Sequence, residues 1–260
     1  MNFGDLAPKV SAIVEEAGRL AAKQFRYGEQ TTSKIWYKNG HSPVTETDIA
    51  TNNFLQARLT QLLPDAGWLS EETADDNQRL TRELVWVVDP IDGTRAFLSG
   101  HPDWCISVAL LANGQPVLGN VFAPVHDKHY WAAEHQNAYC NDQIIHVSPH
   151  AALKESRISG PKFMVGEVSE VAGQLISVPR IPSLALRIAR VAEGEIDVGL
   201  VSDNSHDWDI AAADIILREA GGIMTSIKGE VIRYNNSDTT HEELAASSKL
   251  LHSSLIRIFD

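Results

Sequence analysis

Cysteine is nearly missing from this chain: Cys105 and Cys140 are its only two in 260 residues. A pair so far apart forms neither a disulfide framework nor a CxxC zinc or redox motif, and both read as core thiols. Basic residues are also short, 22 Lys and Arg against 34 Asp and Glu, for a formal charge of −12. Phosphate polymers demand a cationic surface, so direct nucleic-acid binding is not expected. No apolar run approaches the roughly 18 residues of a membrane span, so no membrane partner is expected. The opening "MNFGDLAPKVSAIVEE" has acids and a proline where a signal peptide has basic residues and an apolar block, which makes the cytoplasm the expected location. Absent too are the GxSxG, GxxxxGKS/T and HExxH patterns of nucleophile elbows, phosphate loops and zinc peptidases.

What is present is a folded composition, 43% hydrophobic and 22% charged, which rules against disorder. From Asp5 to Phe25, apolar residues recur every three or four positions (Val10, Ile13, Val14, Ala17, Leu20, Ala21), which predicts an amphipathic helix. A second helix is expected from about Asp48 to Leu63 with Ile49, Phe54, Leu55, Leu59, Leu62 and Leu63 inward, and "YKNGHSPV" between them is turn chemistry. After the short apolar "AGWLSEET" come a strand over Leu84 to Val88 and alternating runs joined by Asn-Gly and Asn-Asp turns, from "CISVALLANGQPVLGNVFAP" to "AYCNDQIIHV", as in an antiparallel meander. Further on, a helix near Ser183 to Ala192, a strand "IDVGLV" and a helix from Asp209 or Ile210 to Glu219 alternate again. A strand pair is expected in "GIMTSIKGEVIRY", then a last apolar strand or helix. This interleaving predicts an α/β class with mixed (α+β) sheets. No linker or repeat interrupts it, so the expectation is one domain over residues 1–260, with an N-terminal lobe of about 1–150 and a C-terminal lobe of about 151–260. His126, His129 and His135 show no ligand spacing and read as a solvated hairpin edge; Trp104, Trp131 and Trp208 read as packing residues.

The chemistry is concentrated in acids. "VWVVDPIDGTRAF" sets Asp89 and Asp92 at the end of the greasiest strand. Proline pushes Asp89 into extended geometry, so Asp89, the Ile91 carbonyl and Asp92 can converge as three oxygens, a hard-cation site. Gly93 allows close backbone approach, and Thr94 opens a short helix whose free N–H groups suit a phosphate. Alone, such a turn is more often a surface turn whose aspartates cap amides. Glu71 and Glu72 in "LSEET", and Asp209 at the threshold of a helix in "HDWDIAAADIILREAGG", place acids at the ends of three separate elements. Clustered carboxylates repel unless a cation neutralises them.

These stretches resemble the inositol monophosphatase superfamily: "VWVVDPIDGTRAF" is similar to its first signature and "DWDIAAADIILREAGG" to its second, with "SPVTETD" and "LSEET" preceding them in order. The resemblance implies a layered α-β-α-β-α sandwich and a lithium-sensitive phosphatase that works with roughly two or three Mg²⁺ ions per subunit. It implies that Glu71, Asp89 and the Ile91 carbonyl hold one ion and Asp89, Asp92 and Asp209 a second. Asp48 would pair with Thr94, the Gly93 and Thr94 amides would receive the phosphate, and Glu71, Thr94 and Asp48 would activate water. Homodimers are common among relatives. Ser70 departs from the usual "GEE" glycine but leaves Glu71 in register.

The resemblance also ranks substrates. Ser202 stands where animal-type members carry a ring-binding glutamate, with Asp203 beside it, and Arg95 after the signature threonine is shared with histidinol-phosphate hydrolases. The expected reaction is hydrolysis of myo-inositol 1-phosphate, ahead of a 3′(2′),5′-bisphosphate nucleotide and histidinol phosphate. A non-catalytic regulatory protein is the reading of another class, and the complete acid set argues against it.

Overall fold

A computed structural model describes residues 3–38 and 43–259. In chain order the elements are α1 (Phe3–Ala22), β1 (Ile35–Tyr37), β2 (Pro43–Thr45), α2 (Glu46–Leu62), β3 (Gly67–Ser70), a 3-10 turn (Gln78–Thr81), β4 (Leu84–Asp92), α3 (Thr94–Ser99), β5 (Cys105–Ala112), β6 (Gln115–Ala123), β7 (Lys128–Ala133), β8 (Ala138–Cys140) and β9 (Gln143–Ile144). There follow β10 (Arg157–Ser159), α4 (Lys162–Ala172), β11 (Ile176–Ser177), α5 (Leu184–Ala192), β12 (Val198–Val201), β13 (Ser205–His206), α6 (Asp207–Glu219), β14 (Gly222–Ser226), β15 (Thr240–His241), β16 (Leu244–Ser248) and α7 (Lys249–Ile256).

Strands β3 to β9 form a seven-stranded sheet in sequence order, antiparallel except for the parallel pair β3–β4. Period-two alternation divides its side chains between two cores. Trp86, Val88, Ile106, Val108 and Leu110 pack with α1 and α2, while Val85, Val87, Ala109 and Leu111 pack with α5 and α6. The second sheet runs β11-β10-β12-β16-β14, parallel over its first three strands and antiparallel over the rest. Its outer face, with Ile158, Val198 and Leu200, joins Met164 and Val168 of α4 and Leu251 and Leu255 of α7 in a third core. The layers are therefore helix pair, sheet, helix pair, sheet, helix pair, the α-β-α-β-α order that the resemblance implies. No helix among the described residues is long and apolar enough to cross a membrane.

The meander and α1 lie where the periodicity puts them, and α5 falls in the expected stretch. Four expectations change. Helix α2 buries Leu55 and Leu59, but Ile49 is exposed and its buried face begins with Thr47, Asp48, Thr51 and Asn52, because this end borders polar groups rather than core. Helix α6 begins at Asp207, two residues before Asp209. In "GIMTSIKGEVIRY" only the first half is a strand: β14 pairs with β16, the chain turns where Gly229 N–H reaches the Ser226 carbonyl at 2.9 Å, and the rest leaves the sheet, burying Tyr234. His129 is buried, not solvated, because α1 covers β6 and β7; its ring lies 3.0 Å from Glu15 and 2.9 Å from Asn120 Oδ1. Of the predicted turn "YKNGHSPV", residues 39–42 lie outside the described residues, and its flanks form the β1–β2 pair.

Helix α6 sits directly on β6. A Cβ at Gly119 would lie 2.3 Å from the Ala212 carbonyl oxygen and 2.6 Å from Ile215 Cγ2, so only glycine allows this approach. Gly119→Ala should cost about 1–3 kcal/mol, read as a lower urea midpoint. An unchanged midpoint would mean that the contact is not a close one.

Candidate active site

In a regular strand, residues three apart face opposite sides. Asp89 pairs with Ser107 and Asp92 with Cys105, three steps along β4 against two along β5, so the strand carries one extra residue between them. This bulge, at Pro90 and Ile91, turns both aspartates to the same side. The Ile91 side chain goes to the opposite core, and its N–H donates to Asp89 Oδ1 at 2.9 Å. Gly93 follows at φ +93°, a left-handed turn that a side chain would strain, and α3 starts at Thr94.

Three other elements bring their acids to this point. Strand β3 runs parallel to β4, and Glu71 N–H bonds the Val88 carbonyl at 3.3 Å, which sets Glu71 beside the end of β4. Its turn is fixed from behind: Asn52 of α2 accepts from Ser70 Oγ at 2.7 Å and donates to Thr73 Oγ1 at 3.1 Å. Asp48 lies in the first turn of α2, capped by Thr45, and Thr94 Oγ1 is 3.2 Å from Asp48 Oδ1 and 3.1 Å from the Ile91 carbonyl. Asp209, in the first turn of α6, accepts the His206 N–H at 2.7 Å. Carboxylate oxygens of Asp89, Asp92 and Asp209 all lie within 4.8 Å of one another. Glu71, Asp89, Ile91, Asp92, Gly93, Thr94, Arg95 and Asp209 together line one open cleft of about 710 Å³.

The remaining expected residues fall differently. Ser202 and Asp203 are not among the lining residues, whereas Asn204 is, with His206 and Trp208 stacked at 4.3 Å and 11°. Trp208 thus borders the cleft, while Trp104 and Trp131 pack, against Phe97 and Tyr139. Residues without an acidic signature went unnoticed in the sequence. Lys38 reaches into the acids, with Nζ 3.1 Å from Glu71 Oε1 and 2.7 Å from Glu72 Oε1. Asp92 Oδ2 accepts from Ser183 Oγ at 2.6 Å and Ala185 N–H at 2.7 Å, which docks the start of α5 on β4. Arg180 lines the same cleft. No spacing rule marks any of these.

Burial and repulsion govern the charges. Desolvation first, then the neighbouring Glu71 and Asp92 carboxylates, push Asp89 well above the ordinary carboxyl range; desolvation and Asp92 do the same to Asp209. Asp92 rises to about 6, burial outweighing its donors, and Asp48 to about 6 for the same reason. Glu72 rises to about 7 through burial, against the pull of Lys38. An oxygen-only set of crowded carboxylates with a backbone carbonyl beside it, lacking nitrogen or sulfur donors, fits Mg²⁺ rather than a softer metal.

A profile of the inositol monophosphatase family matches residues 5–260. The chain belongs to this family. Its members are metal-dependent phosphatases that act on small phosphate esters, with Mg²⁺ as the metal. The chain is similar to an inositol-1-monophosphatase of Rhizobium meliloti (strain 1021), 32% identical over 83% of each protein. It is also similar to a fructose-1,6-bisphosphatase/inositol-1-monophosphatase of Aquifex aeolicus (strain VF5), 27% identical over 96% of this chain and 94% of the relative. Among solved structures it superposes on the extragenic suppressor protein suhB from Bartonella henselae with a TM-score of 0.83, at 25% identity over 96% of both chains.

Each raised carboxyl favours the folded, metal-free chain below its ordinary value, 3.8 for Asp and 4.5 for Glu, and this is lost as pH climbs through about 6 for Asp48 and Asp92 and about 7 for Glu72. In chelator the melting temperature should therefore fall between about pH 4.5 and about pH 7.5, and the rise produced by Mg²⁺ should grow over that interval. A Mg²⁺ effect equal at both ends would separate these carboxyls from the ion.

Proposed function

We propose that this chain is a Mg²⁺-dependent phosphomonoesterase whose first substrate is a polyol monophosphate, myo-inositol 1-phosphate. The observation that carries the reading is the convergence of Asp89, Asp92 and Asp209 in one cleft with Thr94, which Asp48, buried behind it, holds by a hydrogen bond. Asp89, Asp92 and Asp209 would hold Mg²⁺, with Glu71 and the Ile91 carbonyl completing the oxygen set. The bound metal supplies neutralisation of phosphoryl charge and a lowered pKa for water. The chain's own contribution is positioning. The Gly93 and Thr94 amides at the start of α3 receive phosphoryl oxygens, a role that needs the side-chain-free approach at Gly93. Thr94 Oγ1 orients a water, and Asp48, its pKa drawn up to about 6, takes the proton through the hydroxyl that it already contacts. Glu71, on the same cleft, helps to orient that water. On this reading residues 1–260 act as one two-lobed unit, since the acids come from both halves of the chain, and the homodimer common among relatives is carried over as an expectation.

A specific feature favours a second reading. Arg180 borders the cleft, exposed, and makes no hydrogen bond or ion pair among the described residues, whereas Lys38 is engaged by Glu71 and Glu72. With Arg95 on the same wall it suits an ester that carries another anionic group, as in a bisphosphate. The Aquifex aeolicus relative, named for both activities, is consistent with this.

Asp89→Asn should lower kcat/KM for myo-inositol 1-phosphate by about 1,000-fold or more, measured as Mg²⁺-dependent phosphate release. Wild-type rate in that variant would remove Asp89 from the reaction. Arg180→Ala should cost a bisphosphate substrate about 10- to 100-fold in kcat/KM and leave the monophosphate within about threefold. If wild-type protein prefers adenosine 3′,5′-bisphosphate or fructose 1,6-bisphosphate to the inositol ester by more than about 100-fold, near 3 kcal/mol, the bisphosphate becomes the first substrate.

A further inference from the structure

Asp209 depends on how the first turn of α6 is held. Between β14 and β15 the chain is irregular, yet its last part, residues 234–241, wraps this turn as a strap of hydrogen bonds. Asp207 N–H bonds the Thr239 carbonyl at 3.0 Å, His206 Nδ1 lies 3.1 Å from Thr239 Oγ1, and β13 pairs with β15. The Asp207 carboxylate is 1% exposed and faces the strap: Oδ2 accepts Asn235 N–H at 2.8 Å, and Oδ1 lies 2.7 Å from His241 Nε2. Tyr234 OH, at 3.0 Å from Asp214 Oδ2, fixes the strap's start to the next turns of the same helix. The strap also fixes the cleft wall, since Asn204 N–H bonds the His241 carbonyl at 2.9 Å and Asn204 and His206 both line the cleft.

What anchors the strap comes from the other half of the chain. Arg79, in the 3-10 turn before β4, is 2% exposed and does not line the cleft. Its Nη1 donates to Asn235 Oδ1 at 2.6 Å and its Nη2 to the Asn236 carbonyl at 2.9 Å, while Asp75 Oδ2 holds the guanidinium at 2.7 and 3.0 Å. Asn235 stands at φ 60°, with its side chain on Arg79 and its N–H on Asp207. A planar guanidinium with donors in fixed directions can set such a turn; an ammonium cannot.

We propose that Arg79 is a positioning residue for the cation site: by clamping the Asn235–Asn236 turn onto Asp207 it fixes the first turn of α6 and the direction of the Asp209 carboxylate. The inference rests on the reading that Asp209 holds Mg²⁺. The alternative is a buried guanidinium that stabilises the fold and nothing more, and metal affinity separates the two.

The test uses the full chain, with Mg²⁺ affinity read by calorimetry and amide exchange followed over residues 204–209. Arg79→Met should weaken Mg²⁺ binding about 10-fold, the scale for outer partners of metal ligands, and speed exchange in that segment. Asn235→Gly keeps the left-handed backbone and the N–H to Asp207 but loses the contact to Arg79, so it should shift both readouts the same way by about threefold. Arg82→Ala, at the end of the same 3-10 turn, should change neither. Mg²⁺ affinity within about twofold of wild type in both variants, even with a lower melting temperature, would reduce Arg79 to a stabilising role. If Arg79→Met does not fold, Asn235→Gly decides by itself. A wild-type protein that binds no Mg²⁺ would instead overturn the metal reading, and unaltered exchange at 204–209 in Asn235→Gly would overturn the clamp independently.

Discussion

The repulsion among Asp89, Asp92, Asp209 and Glu71 is the constraint to which the rest of the structure answers. Burial first, and then the neighbouring carboxylates, oppose ionisation here and raise the pKa values of Asp89 and Asp209. Holding them together requires elements too rigid to relax. Strand β4 is buried along nearly its whole length between two helical layers, and α6 is seated on β6 so closely that Gly119 carries no side chain. Acids at the ends of such elements cannot move apart without disturbing the core.

The compensation is uneven, and the unevenness is informative. Asp92 has the Ser183 hydroxyl and the Ala185 amide, with the buried Arg187 guanidinium behind, itself fixed to the Ile181 and Leu200 carbonyls. It joins β4 to α5 as well as facing the cleft. Asp89 receives only the Ile91 N–H among side-chain bonds of the described residues, and three acids press on it from outside the bulge. Lys38, the lysine that lines the cleft among the described residues, is committed to Glu71 and Glu72. Asp89 and Asp209, whose pKa values are raised furthest, thus each accept a single hydrogen bond at the carboxylate among the described residues, the arrangement expected where a divalent cation is to be the missing partner.

Much of this was legible in the chain. Alternation marks the meander, three- and four-residue spacing marks α1, and an acid at the end of an apolar run marks Asp89 because water-seeking charge seldom follows such a strand without reason. Failures have a common cause. Ile49 fits a helical stripe, but the N-terminal half of α2 faces Ser70 and Thr73 through Asn52, and polar partners rather than apolar area decide that face. The strand of His129 reads as a solvated edge because the helix that covers it starts more than a hundred residues earlier. Lys38 and Arg79 show nothing locally of their reach to Glu71 and to the Asn235–Asn236 turn, and Ser183, legible as the start of α5, shows nothing of its bond to Asp92, because these partners lie far off in sequence.

By itself the sequence determined the alternation of elements, the layered class, and the positions at which acids end strands or begin helices, because these follow from local periodicity and from the turn chemistry of proline and glycine. Only the tertiary structure decided that a one-residue bulge turns Asp89 and Asp92 to the same side, that Asn204 rather than Ser202 or Asp203 borders the cleft, and that a guanidinium in the first half of the chain clamps the strap around Asp207. Pairing register and side-chain direction depend on partners across the fold, and a residue's neighbours in the chain do not specify them.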